Sequence, residues 1–270
     1  MTRRSIAGRL LAGMAAVAFT AFTPPAAQAA DQRDSQGREF WLGFSENQSA
    51  SELSLFISGN SATLGTVEIP GLGFATSYSV VPGVVTTVLL PANAVATGSG
   101  VVQNIGIHVT ASEEVSVYGL NRQPFTTDAY LGLPVDVVGT ETRVLGYREL
   151  QGTNLRSQYL VVATQNGTQV TADAVVNCAA TNVTLDAGQA YQVSCADVSG
   201  TLISATAPVS VFAGARCTNV PASAFFCDHL VEQMPPASAL GERFLTVPLA
   251  TRSGGDSFRI LASEDATEVR

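Results

Sequence analysis

The stretch Gly37-Arg-Glu-Phe-Trp-Leu-Gly-Phe44 decides the fold, because related stretches follow it twice along the chain. They are Gly139-Thr-Glu-Thr-Arg-Val-Leu-Gly-Tyr147 and Gly241-Glu-Arg-Phe-Leu-Thr-Val-Pro-Leu249. Their first glycines are 102 residues apart each time. A fixed period of this kind is typical of proteins built from repeated structural units.

Further blocks recur in the same order after each opening. An apolar run followed by a turn of small residues comes next, and two more blocks match between the first and second repeats. The matching blocks are 55–63, 160–168 and 259–267, then 81–88 with 186–193, and 109–117 with 203–211. We therefore predict two full units, 37–138 and 139–240, and the start of an incomplete third unit, 241–270.

The third repeat holds only two predicted strands. A strand pair alone is marginally stable in water. We therefore expect either that this chain is a fragment of a longer protein or that its last segment completes a neighbouring sheet.

The pattern within each unit indicates strands. Short apolar and β-branched runs such as Glu114-Val-Ser-Val-Tyr118 alternate with Gly, Asn, Asp and Pro, and no segment after the N-terminal region sustains helical spacing. We predict an all-β fold of tandem β-sandwich-like repeats of about 100 residues, the size of an immunoglobulin-like sandwich. The alternative is a β-propeller in which each repeat makes two four-stranded blades.

The charge composition excludes several classes of function. All 14 basic residues are Arg, against 22 acidic residues, for a net charge of −8. Without lysine there is no Schiff-base or P-loop lysine chemistry. The acidic balance predicts no nucleic-acid partner, since phosphate binding needs clustered positive charge. The missing lysine also indicates a GC-rich bacterial source.

The N-terminus has the layout of a secretory signal. Arg3 and Arg4 precede the apolar run 10–22, and Ala27-Gln-Ala29 supplies a cleavage site. The run is shorter than the roughly 20 residues that cross a bilayer. We predict a signal peptide over 1–29, a secreted, extracellular or cell-surface location, and no membrane span after signal removal.

Four cysteines in an exported chain indicate two disulfides, with three possible connectivities. The separation of the two sequence-local pairs favours Cys178 with Cys195 and Cys217 with Cys227. Neither pair has the short spacing of zinc or redox motifs.

The search for catalytic, cofactor and metal motifs is negative. The only imidazoles are His108 and His229, and nucleotide-binding, zinc-protease and serine-hydrolase motifs are absent. Asp228, His229 and Glu232 lie close in sequence, but on a strand His229 and Glu232 would point to opposite faces. We therefore predict no catalytic residue, no cofactor and no metal site, and expect these side chains to hold a loop in place.

The segment between Cys217 and Cys227 is a possible ligand-contact loop, because it carries the apolar pair Phe225 and Phe226. Aromatic side chains on a constrained loop make good contact anchors. The predicted contact loop consists of Phe225, Phe226, Asp228, His229 and Glu232. The alternative is that both rings pack against the end of the sandwich.

The second unit carries a family resemblance. The blocks Pro208-Val-Ser-Val-Phe-Ala-Gly214 and Cys227-Asp-His-Leu-Val-Glu-Gln-Met-Pro-Pro236 resemble the N-terminal domain family of IgGFc-binding protein, over about 37–270. The resemblance implies a secreted, disulfide-bonded β module of extracellular or mucus-associated proteins. It supplies no short motif for IgG binding, and the Cys178–Cys195 pair is a local addition absent from the vertebrate form.

Two functional hypotheses follow. The first is a secreted, non-enzymatic extracellular binding or adhesion module whose ligand is an extracellular protein or glycan. The second is a secreted carbohydrate-active or other hydrolase in which carboxylates converge from distant strands. A pair of carboxylates about 5–10 Å apart, one with a raised pKa, would favour the hydrolase.

Overall fold

The computed structural model describes residues 34–173, 178–251 and 254–270. Within these ranges the chain forms antiparallel strands and two single-turn 3-10 helices, Pro70–Leu72 and Ala237–Ala239. In this part of the chain no helix is long and apolar enough to span a membrane. The predicted signal peptide, 1–29, lies outside the described residues.

The strands divide between the two predicted units. The first has β1 (Gly37–Leu42), β2 (Glu52–Ser58), β3 (Thr63–Ile69), β4 (Phe74–Val80), β5 (Thr86–Leu90), β6 (Val101–Gln103), β7 (Ile107–Arg122) and β8 (Asp128–Leu131). The second has β9 (Gly139–Arg143), β10 (Ser157–Ala163), β11 (Thr168–Ala172), β12 (Thr181–Leu185), β13 (Ala190–Cys195), β14 (Leu202–Thr218) and β15 (Asp228–Gln233).

Both units have the same strand order. The first runs β4-β3-β7-β2-β5, with β1 and β8 also paired to β7. The second runs β12-β11-β14-β10-β13, with β9 and β15 also paired to β14. The first half of β7 pairs with β1 and β3, and its second half pairs with β2 and β8. One long strand thus contributes to both layers of each unit.

This order confirms the prediction of an all-β fold with tandem sandwich-like repeats. The propeller alternative is wrong, because a single long strand organises each repeat, where a propeller would have two separate four-stranded blades.

Both units contain the same irregularity in strand pairing. Gly37 pairs with Val115 next to a register shift between β1 and β7, and Gly139 pairs with Val209 next to a shift between β9 and β14. A bulge of this kind bends a strand and increases its twist. The bend lets the long strand pass from one layer of the sandwich to the other.

The apolar core of the first unit extends into the second unit, which also has a core of its own. Leu160, Val162 and Phe212 of the second unit pack with buried residues of the first. The Tyr130 ring lies 4.8 Å from the Phe212 ring and 5.5 Å from the Phe44 ring, measured between centroids. In addition, β6 of the first unit pairs with β13 of the second. The units therefore fold against each other directly.

The described residues of 241–270 contain no strand, although the repeat predicts two there. Phe244, Leu245, Phe258 and Ile260 are exposed in this segment. A strand forms only with neighbours that take up its backbone hydrogen bonds. In this structure the segment has no sheet partner, and the third unit stays a prediction.

Candidate ligand-contact surface

The loop between β14 and β15 is closed by a disulfide. The structure contains the Cys217–Cys227 and Cys178–Cys195 bridges, the pairing that their sequence positions favoured. Inside the loop, the Asn219 side-chain amide donates to the Ala224 carbonyl oxygen at 2.7 Å. A bridge that closes a loop of this size stabilises the folded state by an amount on the order of 3 kcal/mol, because it restricts the unfolded chain. The bridge and this bond hold the loop before any ligand arrives.

Phe225 and Phe226 stand on this loop in solvent. Their side chains are 89% and 80% exposed, so they do not pack against the end of the sandwich. Their ring centroids lie 4.9 Å apart with an interplanar angle of 88°, the edge-to-face arrangement that aromatic pairs favour. The loop therefore presents two apolar rings as a unit.

A third exposed ring lies on the adjacent loop. Phe125, between β7 and β8, is 91% exposed. The hydroxyl of the next residue, Thr126, accepts a hydrogen bond from the His229 backbone N–H, so this loop lies against the start of β15. We call Phe125, Phe225 and Phe226 the aromatic surface.

Phe125 was not among the residues predicted for the contact loop. The β7–β8 loop holds the same place in the first unit as the β14–β15 loop does in the second. Extending the repeat alignment beyond 117 and 211 would have paired the two loops.

The polar residues of the predicted contact loop do not converge. Asp228 and Glu232 face outward along β15, whereas His229 is buried on the opposite face, as a strand requires. His229 Nδ1 lies 3.3 Å from the Arg216 carbonyl oxygen, and its Nε2 has no hydrogen-bond partner among the described residues. Burial lowers the pKa of His229 to about 4. The neutral ring donates to Arg216 and fixes the base of the loop.

Two carboxyl groups near this loop have raised pKa values. Desolvation by the surrounding protein raises the pKa of Glu232 to about 7, and the charge of Asp128 adds to this. Desolvation also raises the pKa of Asp128. The Asp128 carboxylate accepts hydrogen bonds from the backbone N–H groups of Ala129, at 2.8 Å, and Val231, at 2.9 Å. Because Val231 lies on β15, Asp128 joins the two units.

Glu232→Gln tests the raised pKa. Between pH 4.5 and 7 the folded state keeps a proton that the unfolded state loses, so the free energy of unfolding falls as pH rises through this window. Glutamine mimics the protonated acid. We expect the variant to match wild type at pH 4 and to exceed it at pH 8 by about 1 kcal/mol at most, because solvent screens this partly exposed carboxylate.

Thermal unfolding at the two pH values measures this difference. Asp228→Asn removes the same charge from the same strand and controls for net charge. Equal stability of Glu232→Gln and wild type at pH 8 would contradict the prediction.

The chemistry that this region offers is apolar contact. Among the described residues, no group of three or more His, Cys, Asp or Glu side chains could hold a metal ion. The other histidine, His108, stacks on Trp41 at 4.2 Å between ring centroids, and its Nε2 lies 2.9 Å from a Glu39 carboxylate oxygen. Through these two contacts His108 joins β7 to β1.

Comparison with known proteins supports the resemblance seen in the sequence. A family profile described as "IgGFc binding protein" matches residues 128–270, more than half of the chain. A human protein named IgGFc-binding protein is 29% identical over 251 residues, which cover 87% of this chain and 5% of the relative's own length. No solved structure matches the chain. The family match spans β8 to β15 and the disulfide-closed loop, and the chain therefore belongs to the IgGFc-binding protein family.

Proposed function

We propose that this chain is a secreted, non-enzymatic binding module that contacts an extracellular protein or glycan through the aromatic surface. One observation carries the proposal: three phenyl rings, each at least 80% exposed, stand on two adjacent loops. Clusters of exposed apolar side chains mark contact sites on soluble proteins, whereas single exposed apolar side chains are common.

The rigidity of the loop supports this role. Binding orders side chains and loops at a cost of roughly 0.5–1.5 kcal/mol for each immobilised flexible side chain. The Cys217–Cys227 bridge and the Asn219 bond restrict the loop in advance, and each Phe has only two side-chain torsions. A ligand that covers the rings therefore meets a small entropic cost.

The bridges and the predicted signal peptide support secretion. Disulfides persist in oxidising compartments such as the extracellular space. The human relative is named for the Fc part of IgG, which makes a protein ligand one class to test. The chain corresponds to one twentieth of that relative, so IgG enters only as a test ligand.

The test is a glycan and glycoprotein array that includes IgG Fc, followed by affinity measurement on the strongest ligand. Replacing both Phe225 and Phe226 with Ser removes two exposed rings. We expect at least about a tenfold weaker affinity, because a buried aromatic anchor contributes more than about 1.4 kcal/mol to binding. Stability should change by less than about 0.5 kcal/mol, as for most surface substitutions.

Phe244→Ser is the matched control, since Phe244 is equally apolar and 76% exposed but lies outside the aromatic surface. It should leave affinity unchanged. Binding that persists unchanged in the Phe225→Ser/Phe226→Ser variant would reject the aromatic surface as the contact site.

The hydrolase remains a second candidate because of one observation. Glu232 has a pKa raised to about 7 near Asp128, and a general acid of a glycosidase needs such a raised pKa. Against it, the Asp128 carboxylate is already engaged by two backbone N–H groups. Release of reducing sugar from a polysaccharide panel, abolished by Glu232→Gln, would favour the hydrolase over the binding module.

A further inference from the structure

Three carboxylates lie beside the aromatic surface. Asp128 begins β8 and Asp228 begins β15, so each follows one of the two loops that carry the exposed rings. The two strands lie side by side, because the Val231 N–H of β15 donates to the Asp128 carboxylate at 2.9 Å. Glu232 shares the outward face of β15 with Asp228. We call Asp128, Asp228 and Glu232 the acidic track.

The carboxylates of the acidic track are close enough to repel one another. Desolvation is the main cause of the raised pKa values of Asp128 and Glu232, and a neighbouring charge adds to each. The charge of Asp228 acts on Asp128, and the charge of Asp128 acts on Glu232. Like charges held together disfavour the ionised forms, whereas a positive charge placed among them favours these forms. The track is therefore suited to a cation.

The basic side chains of the neighbouring strands are engaged elsewhere. Arg216, the basic residue of β14, pairs with Glu46 at 3.0 Å. Arg122, at the end of β7, pairs with Glu52 at 3.4 Å. His229 of β15 is buried, and burial lowers its pKa to about 4. Among the described residues, none of the three track carboxylates takes part in an ion pair.

Apolar rings beside uncompensated carboxylates select one kind of partner. Lys and Arg have apolar stems that can lie on the rings while their charged ends reach the carboxylates. A cation also binds favourably over the face of an aromatic ring. A sulfated or sialylated glycan would bring like charges together, and a neutral glycan would leave the carboxylates without a counter-charge. A protein segment with basic and apolar side chains satisfies both parts of the surface.

We propose that the partner of the aromatic surface is a basic segment of an extracellular protein, with apolar side chains on the rings and Arg or Lys side chains on the acidic track. This inference rests on the proposed function, because it takes the aromatic surface as the contact site. Asp228 and Glu232 are four residues apart on one strand, which is about 13 Å at about 3.3 Å per residue. An extended segment of about eight residues spans about 26 Å and therefore covers both the rings and the track.

Three labelled peptides test the charge of the partner, by fluorescence anisotropy with the purified full chain. Each has about eight residues, in which Leu alternates with Arg, with Gln or with Glu. We expect the Arg peptide to bind at least about tenfold more tightly than the Gln peptide, and the Glu peptide to bind most weakly. The apolar content is the same in all three peptides, so their order reports charge.

Asp228→Asn/Glu232→Gln removes two charges of the track and keeps the shapes of the side chains. Asp128 stays unchanged because it holds β15. We expect the variant to bind the Arg peptide about fivefold more weakly, as the loss of two partly exposed ion pairs implies, and to bind the Gln peptide like wild type. Glu114→Gln/Glu264→Gln is the matched control, because it removes two charges at exposed positions outside the track. It should bind the Arg peptide like wild type.

The pH dependence of binding gives a second measurement. Asp128 on β8 and Asp228 on the same strand are the charged groups beside Glu232, and the residue opposite it on β14 is Ala213. With a pKa raised to about 7, Glu232 gains its charge between about pH 6 and pH 8, whereas the Arg peptide stays charged. We expect affinity for the Arg peptide to rise about twofold over this range in wild type. The Asp228→Asn/Glu232→Gln variant should lose most of this rise.

The outcomes separate this inference from the function on which it rests. Phe225→Ser/Phe226→Ser should weaken binding of the Arg and Gln peptides alike. If it does, and Asp228→Asn/Glu232→Gln still binds the Arg peptide like wild type, the aromatic surface stands and the basic partner is rejected. If the Phe variant binds the Arg peptide like wild type, the aromatic surface is not the contact site and the proposed function fails as well.

Three further results would overturn the basic partner. These are equal affinity of wild type for the Arg and Glu peptides, no binding of any peptide, and a neutral or acidic glycan as the strongest ligand of the array. If Asp228→Asn/Glu232→Gln has a lowered melting temperature, Asp228→Asn alone replaces it as the milder change.

Discussion

We expect Phe212→Ala to lower the free energy of unfolding by about 4 kcal/mol, within the range measured when large aromatic residues in well-packed cores are replaced by alanine. Phe212 lies on β14 and is fully buried. Its ring meets the Tyr130 ring edge-on at 4.8 Å, and Tyr130 in turn lies 5.5 Å from Phe44. Phe212 belongs to the second unit and the other two rings to the first. The cavity would therefore open where neither unit can collapse without moving the other.

Urea unfolding followed by circular dichroism gives the free energy. Phe244→Ala removes the same ring from an exposed position and should change it by less than about 0.5 kcal/mol. A cost below about 1 kcal/mol for Phe212→Ala would mean that the units do not share a core, since a buried Phe→Ala change costs about 3–5 kcal/mol.

We expect acidification from pH 6.5 to 4 to remove about 3 kcal/mol of stability through His229. The pKa of His229 falls from 6.5 to about 4 on folding, because burial disfavours the charged ring. In this window the unfolded state binds more protons, so the free energy of unfolding rises with pH. The contribution is complete above pH 6.5, is lost progressively down to pH 4, and changes no further below.

His229→Asn isolates this effect. The asparagine amide can still donate to the Arg216 carbonyl oxygen but does not titrate. The variant loses ring packing at every pH, so only the change with pH is diagnostic. We expect its stability relative to wild type to improve by about 3 kcal/mol between pH 7.5 and pH 4. Glu232 makes the free energy of unfolding change with pH in the opposite direction. This change is the same in wild type and in the variant, so it does not affect the difference between them. A difference that is constant with pH would contradict the buried, neutral histidine.

The contact loop was predictable only in part. The two disulfides follow from the position of four cysteines in two local pairs, and the opposite orientation of His229 and Glu232 follows from the alternation of a strand. The exposure of Phe225 and Phe226 could not be predicted from the sequence, because an apolar pair on a loop can either pack against the protein or face solvent. That choice depends on whether a neighbouring element offers a pocket, and residue spacing carries no such information.

The sequence alone determined the plan of each unit. Side-chain alternation and turn residues are local signals. A repeated block folds in the same way twice because similar sequences have the same local conformational preferences. The bulges beside Gly37 and Gly139 show this equality in detail.

Only the tertiary structure decided how the units meet. Strand β6 pairs with β13, and Phe212 packs in a core made mainly by the first unit. Gly188, in the turn 186–190, lies against Trp41, whereas a Cβ on Gly83, in the corresponding turn 81–85, would meet no described atom within 4 Å. Each of these contacts joins residues that are far apart in the chain. Such contacts depend on which surfaces are complementary once both units have formed. Two copies of one local pattern can therefore end with one turn docked and the other exposed.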